Sequence, residues 1–181
     1  QNYSVHLLNL SIYLSGDFYM KQKLTFVILI LTMMTCLAYG QTRTFSQILA
    51  EARAKTAAKD WVEAAKLWEE VVQINPVESK FWQQLAIAQY SSKNYRKAIG
   101  SFEKVLELGG DAPSFALYNI ATCYALMDDK EQALKWLEKS FAEGYPNLER
   151  AQQDVNFKAL KDDARWQKII GLTDTSKLSR D

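Results

Sequence analysis

Nucleophilic and metal chemistry in proteins leans on histidine and cysteine, and this chain holds one histidine and two cysteines in 181 residues. A serine or cysteine nucleophile generally takes its proton-accepting partner from histidine. The histidine is His6, far from Cys123 in sequence, and Cys36 sits in an apolar run. A zinc site needs a Cys/His set that these residues do not provide. Gly109-Gly110 lacks the Lys and Ser/Thr that follow the glycines of a phosphate loop, and reads as a connection between helices. Three adjacent carboxylate pairs remain, Glu69-Glu70, Asp128-Asp129 and Asp162-Asp163. Neighbouring residues on a helix point about 100° apart, so Glu69 and Glu70 do not converge on one substrate. The aspartate pairs fall in turns, where Asp caps the helix that follows. Cys123 lies mid-helix and reads as a packed thiol. The expectation is a non-enzyme with no cofactor and no metal.

Before residue 41 the pattern is one of targeting. From Met20 a short basic stretch (Lys21, Lys23) leads into about 14 apolar residues and then into Ala38 and Gly40, small residues two apart. This is the order of a secretory signal peptide over 20–40, cut after Gly40, with 1–19 read as a non-native upstream extension. An uncleaved anchor over 24–42 is the alternative, since no charge falls between Lys23 and Arg43. A third is lipidation at Cys36, though Met34 and Thr35 fit that pattern poorly. The expected location is periplasmic or secreted, with membrane association only under those alternatives.

Of 22 Lys+Arg and 21 Asp+Glu, Lys21, Lys23 and Asp17 precede residue 41, so the remainder balances at 20 of each. A chain that grips phosphates shows a basic excess. Nucleic acid is therefore not the expected partner.

The elements that organise the rest follow a repeat. Ile48 maps onto Trp82, Ala52 onto Ala86, Ala64 onto Ala98, Trp68 onto Phe102 and Pro76 onto Gly110, each 34 residues on. A third copy follows at 35, pairing Trp82 with Leu117, Ala86 with Ala121, Ala98 with Ala133 and Phe102 with Leu137. The added residue fits the Gly109-Gly110-Asp111 loop. Within each copy apolar residues recur at three and four, the helix period. Breakers at Lys59-Asp60, Ser92-Lys93-Asn94 and Asp128-Asp129 divide each copy into two helices. Asn75-Pro76, Gly109-Gly110 and Gly144-Tyr145-Pro146 divide one pair from the next.

These residues resemble the tetratricopeptide repeat family. Its pattern is met by Trp82, Leu85, Ala86, Tyr90 (one place late), Ala98 and Phe102 in the second copy. The third supplies Leu117, Ile120, Ala121, Tyr124, Ala133 and Leu137. The first is weaker, with Glu51 and Lys55 at apolar places, yet Ala52, Ala64, Trp68 and Pro76 fit. The resemblance implies an all-α, right-handed helical solenoid of three repeats over 43–146. The stretch 147–171, with Asp154, Phe157, Leu160, Trp166 and Ile169, resembles an end-of-array segment of bacterial relatives and implies capping helices. Residues 172–181 read as a mobile tail.

The family register also implies where a partner would lie. Leu49, Arg53 and Thr56, then Gln83, Ile87 and Tyr90, then Phe115, Tyr118 and Thr122 fall on the first helix of each pair, facing a groove. Of these the binding candidates are Arg53, Gln83, Ile87, Tyr90, Phe115, Tyr118 and Thr122. The five tryptophans fall mostly at packing positions. The family's chaperone-carboxylate clamp is absent, because Leu49, Arg53, Gln84, Phe115 and Asn119 stand where its Lys, Asn and Arg belong. The expected function is a scaffold holding a peptide or partner helix. A self-assembling module, or an accessory domain of an envelope enzyme complex, is the alternative.

Overall fold

The computed structural model describes residues 22–23, 25–30 and 43–173. The chain divides into two units, 1–43 and 44–181. In the first, 22–23 and 25–30 are helical, and Phe26 is exposed. Cys36, the cleavage position after Gly40 and the tail beyond 173 lie outside the described residues. Among the described residues, no helix is long and apolar enough to cross a membrane.

The second unit is a run of helices. Six make three antiparallel pairs: α1 (Phe45–Ala57) with α2 (Trp61–Ile74), α3 (Ser79–Ser91) with α4 (Tyr95–Glu107), and α5 (Pro113–Leu126) with α6 (Lys130–Ala142). Three short elements follow: α7 (Leu148–Gln153), a 3₁₀ helix (Val155–Leu160) and α8 (Ala164–Thr173). Each helix from α1 to α6 packs chiefly on its sequence neighbours, the arrangement of a solenoid.

Local chemistry sets each start and stop. Thr44 accepts from the Gln47 amide while the Gln47 side chain receives the Thr44 N–H at 2.7 Å, a reciprocal cap on α1. Pro113 opens α5, where its missing N–H costs nothing. The turns inside the pairs carry Lys59, Lys93 and Asp128 at φ of 57°, 64° and 61°. The turns that close the second and third pairs carry Gly109 and Gly144, at 66° and 80°. In all five, the amide one residue later reaches back five residues to a helix carbonyl, as Asn94 N–H does to Gln89 O at 2.8 Å. The repeat is thus written in backbone geometry as well as in side chains. Gly110 is required for space instead: a Cβ there would sit 2.6 Å from Val105 Cγ1.

Ala52, Ala64, Ala86, Ala98, Ala121 and Ala133 are all fully buried where helices cross. Trp68, Phe102 and Leu137 are buried in the volume between pairs. Small residues allow the axes to approach and bulky ones fill what remains, giving three hydrophobic clusters between Ile48 and Ile169, with half-buried Trp82, Tyr124 and Trp136 each packed against two of them. Polar links join neighbouring pairs. Glu69 accepts from Lys97 at 3.0 Å and from Gln89 at 3.3 Å, and Gln89 in turn accepts from buried Ser101 at 2.7 Å.

Candidate functional site

The first helices α1, α3 and α5 carry the residues that the repeat register assigns to a groove, and the structure treats the three differently. On α1, Arg53 is exposed, while Leu49 and Thr56 are half-buried. Thr56 is engaged internally: its hydroxyl donates to Ala52 O and accepts from the Trp68 indole N–H, both at 2.9 Å. On α3, Gln83 is exposed and Ile87 and Tyr90 are half-buried, with the Tyr90 ring 5.9 Å from that of Tyr95. On α5, Phe115 is 40% exposed, but Tyr118 and Thr122 are only 2% and 3% exposed.

Tyr118 and Thr122 are therefore not open groove residues, contrary to the register. The C-terminal segment packs over Tyr118. Tyr118 donates its hydroxyl to Asp154 Oδ2 at 2.8 Å, stacks on Tyr145 at 4.3 Å and meets Phe157 edge-on at 5.5 Å. Burial first, and then that hydrogen bond, raise the Tyr118 phenol above its ordinary value. The Thr122 hydroxyl turns back to Tyr118 O at 2.9 Å. Tyr90 feels the same segment, since burial and then the Asp154 carboxylate raise its phenol.

The structure does bring Gln83 and Phe115 together. They line a cleft of about 120 Å³ between the second and third pairs, walled by Phe102, Val105 and Ala116. Lys80, Asp111 and Asn119 complete it, and Lys80 Nζ lies 3.7 Å from Asp111 Oδ2 at its rim. The sequence reading did not place these three in a site. Helix spacing carries part of the signal: Lys80 lies three before Gln83, and Asn119 four after Phe115, on the same faces. Asp111 belongs to a loop and has no such register.

Nothing in this arrangement activates a nucleophile. The Cys123 thiol is buried, and burial pushes its pKa to about 12, so the thiolate is suppressed. Asp129 accepts from the Gln132 amide at 3.1 Å and Asp163 from Arg165 at 2.8 Å, both capping helices. Among the described residues, no cluster of His, Cys, Asp and Glu could hold a metal. What the site offers is a mixed surface: amides on Gln83 and Asn119, an exposed aromatic face on Phe115, and charge on Arg53, Lys80 and Asp111.

Comparison with known proteins bears on the fold. The tetratricopeptide repeat family model matches residues 115–147, the third pair and the turn after it. Two solved structures share the architecture of the wider helical run. One is MamA, at TM-score 0.52 and 22% identity, covering 55% of this chain and 57% of that one. The other is the Yersinia enterocolitica type III secretion chaperone SycD in complex with a peptide of the translocator YopD, at TM-score 0.51 and 14% identity, covering 76% and 99%.

The fold is a tetratricopeptide-repeat solenoid.

Among curated relatives, a chloroplastic protein of Arabidopsis thaliana is 30% identical over 92 residues, covering 47% of this chain. The match spans only 27% of that relative's length. At these identities the structural likeness speaks to architecture. The tetratricopeptide pairs α3–α4 and α5–α6 hold the cleft, and the third pair is the one that the family model itself recognises.

Proposed function

We propose that the chain is a non-enzymatic scaffold that binds a peptide or a partner helix along the inner face of its first two repeats and the cleft beside the third. The observation that carries this reading is a difference between equivalent positions. Gln83 and Ile87 keep accessible surface, whereas Tyr118 and Thr122, 35 residues on, are buried. The available surface therefore runs over Arg53, Gln83, Ile87 and Tyr90 and ends at Phe115. Side-chain amides beside an aromatic face suit an extended backbone, whose N–H and C=O groups need partners and whose side chains need pockets. A neighbour of this fold, SycD, was solved with a peptide of its translocator. Protein rather than nucleic acid as partner is supported by the balanced charge of the repeats.

Export to the periplasm or beyond belongs to the same reading and rests on the basic-apolar-small pattern of 20–40. Capture from the envelope fraction of the native host, with mass spectrometry of both bait and prey, tests partner and N-terminus together. Ile87→Ala with Tyr90→Ala should abolish capture while circular dichroism stays unchanged. Full capture by that variant would put the binding surface elsewhere.

A further inference from the structure

The inner face of the third repeat is already occupied, and by this chain. In the second repeat the inner positions Gln83 and Ile87 remain accessible although a whole helix pair follows them. In the third repeat the same positions, Tyr118 and Thr122, are buried, and the short elements after Gly144 pack directly on Tyr118. A further repeat stacked in the ordinary way would leave them open, as the third leaves those of the second. The segment after α7 instead turns inward and packs its 3₁₀ helix on α5.

Its contacts have the form of a docked ligand. Asp154 accepts the Tyr118 hydroxyl at 2.8 Å and caps its own turn by accepting the Asn156 amide at 2.9 Å. Phe157, three residues on, is fully buried against the Tyr118 ring. Phe157 lies in a six-residue 3₁₀ helix that Asp154 caps, whose hydrogen bonds are poorer than those of an α-helix. Val155 on its outer side is 79% exposed. The closed arrangement also carries a cost. The Tyr145 ring is stacked on Tyr118, and its hydroxyl is buried with no hydrogen-bond partner.

We propose that residues 154–160 are a resident ligand of the third repeat's inner face, which a partner segment presenting an acidic residue and, three places later, an aromatic one displaces. This rests on the scaffold reading above and extends the binding surface from two repeats to three. The resident copy is tethered, so it competes at high effective concentration and holds off weak partners. A segment of the same chemistry, borne by a tighter partner, gains access to Tyr118 when residues 154–160 open.

The probe is a labelled peptide of residues 152–161, titrated into the full chain and into the full-chain variant Asp154→Asn with Phe157→Ala. Disabling the resident copy should tighten binding of the peptide by about ten-fold or more. A peptide carrying the same two substitutions should not bind, and adding Tyr118→Phe to the variant should weaken binding again. A variant with intact helicity that binds the native and substituted peptides alike would overturn the proposal. Hydrogen exchange on the unsubstituted chain decides the matter even if the variant unfolds. Amides of 155–161 should exchange at least about ten-fold faster than those of 118–122, by local opening; exchange of both stretches as one cooperative unit would overturn it. Capture by Ile87→Ala alone, which leaves Tyr90 and its neighbours Asp154 and Asn156 in place, tests the second repeat separately, so either reading can fail alone.

Discussion

Tyr118 shows how one side chain can change its role between the register and the folded chain. Its ring is buried between Tyr145 and Phe157, and its hydroxyl is committed to Asp154. The folded phenol titrates above its unfolded value, so its contribution to stability is fully present below about pH 10 and lost as pH rises through the raised folded value. Alkaline titration followed by tyrosinate absorbance and near-ultraviolet dichroism should therefore show the cap loosening at high pH. Tyr118→Phe, which cannot ionise, should lessen that loss. Asp163 works in the opposite sense. Hydrogen bonds from Arg165 hold its carboxyl below the usual range, so its contribution is present above pH 3.8 and lost as pH falls through the lower folded value.

At the scale of the element, each helix pair turns on one left-handed residue between its two helices, and the chain uses side chains there that dislike it. Lys59, Lys93 and Asp128 adopt positive φ where Gly109 and Gly144 do so freely. Lys93→Gly should raise stability by about 0.5–1 kcal/mol, the relief of left-handed strain exceeding the entropy that glycine adds to the unfolded chain. Denaturant midpoints measure it. The crossings behave differently, because they leave no room. Ala98 is fully buried between α3 and α4, and Ala98→Leu should cost about 1–3 kcal/mol through overpacking. An unchanged melting curve would contradict the assigned crossing.

Across the whole molecule, each pair leans only on its neighbours, so damage should stay local. Trp68 is buried in the first pair, with its ring 6.1 Å from Phe81 of the next. Trp68→Ala should remove about 3–5 kcal/mol from that end of the array. Hydrogen exchange should rise in α1 to α3 and remain unchanged in α6 and α8. A uniform rise along the chain would mean that the repeats fold as one indivisible unit.

The array was legible in the residues because its cause is local and repeated. Alanines at 52, 86 and 121 and at 64, 98 and 133 recur since every crossing demands the same small side chain, and all six are fully buried. The breakers at 59, 93 and 128 marked the turns for the same reason. The surface left for a partner was not legible in that way. Gln83 and Tyr118 hold one position in the repeat, and only the path of the chain after Gly144 makes one open and the other closed. That path depends on contacts 36 residues apart in sequence, such as Tyr118 with Asp154. The cleft of Lys80, Gln83, Asp111, Phe115 and Asn119 likewise draws on two helices and a loop. Periodicity records what each repeat needs from its neighbour. It carries no trace of an interaction made once, across the array, by a segment outside the repeat.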